Sequence, residues 1–219
     1  LDTADSVCRQ LATEADLVIV SADYRLAPEH LYPAAVEDSY AALQWVHENT
    51  SRLNGSGKIG VCGESAGGNL AAVVAQQSRD TNGPEIAFQC LLYPVTDADM
   101  SRDSYTENGN GYLLETATME WFWDTYCPDP EQRLEAAASP LRARSLTNLP
   151  PALIVTAEFD PLRDEGNAYA HALEAAGNSA TLMCCDGLVH DFFGTAAVFG
   201  CSKEPFDQTV AALRAHLAT

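Results

Sequence analysis

A chain of 219 residues with 47% hydrophobic content can build one ordinary domain with a substantial core, and is neither disordered nor fibrous. Its formal charge of −19, from 31 acidic against 12 basic residues, leaves no basic stripe and argues against nucleic acids and anionic membranes as partners. The acidity serves solubility, and no function is read from it.

Seven cysteines (Cys8, Cys62, Cys90, Cys127, Cys184, Cys185 and Cys201) form no C-x-x-C pair and no zinc spacing. Free thiols in a reducing, cytoplasmic compartment are expected. Cys62 and Cys90 lie in apolar runs and read as small core hydrophobes, while adjacent Cys184 and Cys185 should point to opposite faces of a strand. No run is long enough for a membrane span, and no signal peptide is visible. The chain opens on Leu1 rather than methionine, so its start reads as cut.

In chain order, residues 1–15 read as a helix with Ala4, Val7, Cys8, Leu11 and Ala15 on one stripe. Residues 17–22 are a continuous apolar run suited to a strand buried on both faces. A proline-punctuated loop spans 23–33, and a helix presenting Val36, Tyr40, Leu43 and Val46 or His47 follows to about Asn49. Strands are expected at 58–62, 87–95, 152–157 and 180–185. Helices are expected after Ser65, over 161–176 with Gly177 as the stop, and at the C-terminus through Phe206, Val210, Leu213 and Leu217. Residues 96–149 are polar, with aromatics clustered at Tyr112 and Trp121-Phe122-Trp123. They are too long for a plain connection and read as a helical insertion over the sheet. The core is then 1–95 and 150–219. Strands alternating with helices imply a mostly parallel sheet with helices on both faces, and functional residues at the carboxyl ends of its strands.

Three residues fit that placement. Gly63-Glu64-Ser65-Ala66-Gly67 has the spacing of a nucleophile elbow, a tight strand-to-helix turn. Glycines two before and two after Ser65 are expected to remove Cβ atoms that would clash across the turn. The helix beside Ser65 aims its free N–H groups at any oxyanion formed there. Against this stands the plainer reading of a glycine-rich turn before a buried helix. A serine needs a base of near-neutral pKa, which points to histidine. His47, His171 and His216 sit on helices at positions expected to face solvent, and His30 lies in the proline-rich loop. Only His190 combines a strand-end location with a glycine-bearing loop, although a surface loop histidine is the bland alternative. Asp160 ends a strand and precedes a proline, which suits either an orienting acid or a helix N-cap; Asp164 and Glu165 should face away. Serine, acid and base stand in the chain order of a strand-end triad.

With these residues in view, the chain resembles the hormone-sensitive-lipase-like (bacterial family IV) esterases of the α/β-hydrolase fold. The matching stretches are Tyr24-Arg25-Leu26-Ala27-Pro28-Glu29-His30, Gly63-Glu64-Ser65-Ala66-Gly67-Gly68, Ser139-Pro140-Leu141, Asp160-Pro161-Leu162-Arg163-Asp164-Glu165-Gly166 and His190-Asp191-Phe192. The resemblance implies Ser65 as nucleophile, His190 as general base, Asp160 as orienting acid and the Ala66 N–H as one oxyanion donor. It implies a small ester of short to medium acyl length as substrate and no cofactor or metal. Glu64 stands where the family more often has aspartate. Substrate contacts are expected from Glu64, Tyr112, Trp121, Trp123, Leu188 and Val189. The family's His-Gly-Gly-Gly loop, which supplies its other oxyanion donors, would precede Leu1, as would its first strands and half of the cap. The expectation is a fragment of a longer chain, impaired alone, with a hole in the sheet between 17–22 and 58–62 and open edges that allow a homodimer. A small-molecule-binding protein on the same fold, or an amide or lactone hydrolase using the same triad, is the alternative.

Overall fold

The computed structural model describes residues 2–218. Four strands, β1 (Gly60–Glu64), β2 (Phe88–Leu92), β3 (Ala152–Phe159) and β4 (Ala180–Val189), form one all-parallel sheet in the order β1-β2-β3-β4. Among the described residues seven α-helices accompany them: α1 (Asp2–Ala15), α2 (Ala34–Asn49), α3 (Ala66–Asp80), α4 (Asp103–Glu107), α5 (Thr116–Tyr126), α6 (Arg163–Ala175) and α7 (Gly200–Leu217).

The central strands β2 and β3 are buried on both faces over Phe88–Leu92 and 152–157, whereas β1 and β4 at the edges are partly exposed. Phe88, Cys90 and Leu92 of β2, with Leu153 and Val155 of β3, pack against Val7 and Leu11 of α1 and Phe206, Val210 and Leu213 of α7. The alternate residues Leu91 and Ile154 pack against Ala71 and Ala72 of α3 and Tyr169 and Leu173 of α6. This period of two divides the buried residues of β2 and β3 between the two helix layers. Helix α2 forms a further layer, with Leu43 against Val74 and Ala75, and Val36 against Leu70 and Val73.

Several expectations are corrected. Residues 17–22 form no strand, and Val18, Ile19 and Val20 are 54%, 36% and 41% exposed. An apolar run becomes a strand only when a neighbour completes its hydrogen bonds, and β1 pairs with β2 alone among the described strands. Cys62 is for the same reason exposed instead of buried, whereas Cys90 is completely buried. Cys184 is exposed and Cys185 buried, as alternation requires, and all seven cysteines are free. Strand β4 runs on to Val189, past a register shift between Ala157 and Phe159, so His190 follows a strand directly. His216 does not face solvent freely; its ring stacks on Phe88 at 4.3 Å.

Residues 96–149 are less helical than expected, with α4, α5 and two single 3-10 turns among irregular segments. They carry an apolar cluster of their own, Tyr105, Leu114, Met119, Trp123, Cys127 and Ala138, which also takes in Val95 and Leu162. Asn69 on α3 ties this segment down, its side-chain amide donating to the Val95 carbonyl (2.9 Å) and the Ala138 carbonyl (2.8 Å). Among the described residues no helix is long and apolar enough to cross a membrane.

Candidate active site

Each strand delivers one residue to the carboxyl edge of the sheet: Ser65 follows β1, Tyr93 follows β2, Asp160 follows β3 and His190 follows β4. Ser65 sits in the turn between β1 and α3 at φ 54°, ψ −115°. That left-handed backbone costs on the order of 1–3 kcal/mol for a residue with a Cβ. Surrounding bonds hold it there: the Ser65 N–H donates to the Leu92 carbonyl (2.9 Å), and its carbonyl accepts from Asn69 (3.0 Å) and Val95 (3.3 Å). A Cβ at Gly63 would lie 2.1 Å from the Gly67 carbonyl oxygen, and one at Gly68 would meet Pro94 at 2.9 Å. Nothing lies within 4 Å of a Cβ on Gly67. The glycines that permit the turn are therefore Gly63 and Gly68, and the expectation for Gly67 is corrected.

His190 Nε2 lies 3.0 Å from Ser65 Oγ, and His190 Nδ1 lies 2.7 Å from Asp160 Oδ2. A carboxylate only accepts, so Nδ1 carries the proton and Nε2 is left free to accept from the serine hydroxyl. Asp160 is fully buried, and its second oxygen accepts the Leu162 N–H at 2.8 Å. The carboxylate thus holds the imidazole while its own orientation is fixed from the other side. Ala66 opens α3, so its N–H has no partner within the helix and stands beside Ser65.

A cavity of about 370 Å³ adjoins Ser65 and Ala66. Tyr24, Leu70, Val95, Met119, Trp121, Phe122, Trp123 and Tyr126 make most of its wall apolar. Trp121 and Trp123 are brought to it, but four other expected contacts are not among the lining residues. Tyr112 stacks on Phe159 at 4.9 Å instead. Leu188 is buried in the core with Phe192 and Phe193, because β4 extends through it. Val189 pairs in register with Phe159, also within the extended strand. Glu64 accepts a hydrogen bond from Tyr93 Oη at 2.8 Å.

Glu165 was expected only to face away from His190. It does so, but it is fully buried and accepts from the Thr96 N–H (2.6 Å), the Asp97 N–H (3.2 Å) and Tyr105 Oη (2.9 Å). Burial pushes its carboxyl up to about 8, against the pull of those donors. Asp164 accepts from the Ser104 N–H at 2.8 Å, so both acids fasten α6 to the segment after β2. Neither role had a sequence signal beyond an acidic first turn. Tyr93 likewise carries no sequence signal of its own, since a tyrosine before a proline reads as a strand end.

Fold and site together define a class: parallel α/β proteins that present a serine–histidine–carboxylate relay at the carboxyl ends of their strands. The chain belongs to the α/β-hydrolase fold family, whose sequence profile matches residues 1–194. It is 46% identical over 225 residues to the carboxylic ester hydrolase LipN of Mycobacterium tuberculosis, covering all of this chain and 60% of that protein. It is 38% identical to an ethyl acetate hydrolase of Pseudomonas putida, covering 99% of this chain and 69% of that one. The crystal structure of a thermostable esterase from Pseudomonas putida superimposes with a TM-score of 0.96 at 42% identity, over all of this chain and 70% of that one. The chain thus spans 60 to 70% of the length of these three proteins.

Proposed function

We propose that this chain carries the catalytic site of a serine carboxylesterase. The relay from Asp160 through His190 to Ser65, at 2.7 and 3.0 Å, is the observation that carries the reading. Ser65 Oγ attacks the ester carbonyl as His190 Nε2 takes its proton. Asp160 steadies the imidazolium, and the Ala66 N–H faces the developing oxyanion. His190 then returns the proton to the departing alkoxide, leaving an acyl group on Ser65. Water, activated by the same imidazole, releases the acid. The named relatives are ester hydrolases, and the apolar cavity beside Ser65 suits a short to medium acyl chain.

The test is Ser65→Ala assayed against p-nitrophenyl esters of increasing acyl length. Turnover should fall by at least about 10⁴-fold, while unfolding free energy stays within about 1 kcal/mol, because one partly exposed hydroxyl is removed. Substantial turnover in that variant would remove Ser65 from the nucleophile role.

A further inference from the structure

Three of the four strand ends supply the relay; the fourth supplies Tyr93, which the relay does not use. Tyr93 is 1% exposed, and its backbone stands at φ 37°, held by its N–H to the Val155 carbonyl. Its ring lies 4.8 Å from the His190 ring at an interplanar angle of 60°, and 5.6 Å from Phe192. Its hydroxyl donates to Glu64 Oε1 at 2.8 Å, on the residue immediately before the nucleophile. A buried aromatic in a left-handed conformation, between the base and the nucleophile's neighbour, is strain located at a site.

We propose that Tyr93 and Glu64 are positioning residues for the base, the tyrosine ring packing against the imidazole while the carboxylate it anchors stabilises the imidazolium formed when Ser65 gives up its proton. This rests on the esterase reading above, and goes beyond it by giving the fourth strand end a role. Glu64 directly precedes Ser65 and is joined to the His190 ring through Tyr93, whose hydroxyl it holds and whose ring faces the imidazole. Burial raises its carboxyl, while the Tyr93 hydroxyl and His190 oppose that rise. The titratable groups around the pair are His190 and Asp191 after β4, with Cys90 of β2 and Cys8 of α1 also within reach of the Glu64 charge. Asp160 is the remaining charge on His190. None of these groups is a cation other than the imidazolium itself, so beyond the Tyr93 hydrogen bond the charge on Glu64 is relieved by the protonated base.

The readouts are the pH profiles of kcat/KM and of the rate at which a fluorophosphonate labels the serine. In labelling, the Oγ–P bond forms, fluoride leaves and the proton passes to His190. Glu64→Gln keeps an acceptor for Tyr93 but removes the charge. The midpoint of the acidic limb should move down by about one pH unit, the scale of one nearby charge at an effective dielectric of about 20. The plateau should fall about three- to tenfold in kcat, with KM unchanged because Glu64 does not line the cavity. Tyr93→Phe, which leaves the carboxylate unanchored, should move the limb the same way, and the double variant should do no more than Glu64→Gln alone. If Glu64→Gln misfolds by circular dichroism, Tyr93→Phe decides by itself. Wild-type limbs and plateaus, or a loss confined to KM, would overturn the proposal. Labelling that persists in Ser65→Ala would instead overturn the esterase reading.

Discussion

At Glu165 a single carboxyl links stability to pH. Burial holds the proton on the native group up to about pH 8, against an ordinary glutamate value of 4.5. Between those values the native state binds more protons than the unfolded one, so the contribution of Glu165 is fully present below about pH 4.5 and is lost as pH rises from there through about 8. The loss is on the order of 3–5 kcal/mol, since each unit of pKa is about 1.4 kcal/mol. Glu165→Gln keeps an acceptor for the Thr96 and Asp97 N–H groups and cannot ionise. Urea unfolding at pH 5 and pH 9 should show a much smaller difference in this variant than in the parent chain; equal differences in both would refute the assignment. Ser65, His190 and Asp160 were legible because nucleophile, base and acid must be particular side chains in a particular order past strands. Glu165 and Tyr93 were not, because their roles come from burial and a hydrogen-bond partner about 30 to 70 residues away.

Among the elements, α5 presents two tryptophans to one cavity in different settings. Trp121 is 61% exposed, and Trp123 is 4% exposed within the cluster of Tyr105, Met119 and Leu162. Trp121→Ala should therefore shift acyl-length preference with a stability change of about 1 kcal/mol or less, while Trp123→Ala should cost about 3–5 kcal/mol. Specificity constants over an acyl series, together with unfolding midpoints, check both; equal losses for every chain length in Trp121→Ala would leave that residue without a role in selection. Strands β2 and β3 were readable from continuous apolar runs, the pattern of a sheet covered on both sides, while β1, expected at 58–62, lies two residues later at Gly60–Glu64 and is only partly covered. The same pattern over 17–22 gave no strand, since composition reports what a segment could bury and not whether a partner lies beside it. Strand β4 ran four residues past its expected end, because Asp186 and Gly187 look like a turn locally while the Gly187 N–H is in fact held by Glu158 Oε2 at 2.7 Å.

For the molecule as a whole, the parallel sheet accounts for the site: four strands pointing one way bring residues 65, 93, 160 and 190 to one edge, from positions far apart in sequence. The central claim is that Ser65 is made nucleophilic by His190. Its most direct test is the mass of the chain after brief treatment with a fluorophosphonate, followed by mapping of the modified peptide, in the parent and in His190→Ala. One added phosphonyl group is expected, carried on Ser65 in the parent, with labelling slowed by at least about 10³-fold without the imidazole. No adduct, an adduct on another residue, or equal labelling in His190→Ala would contradict it.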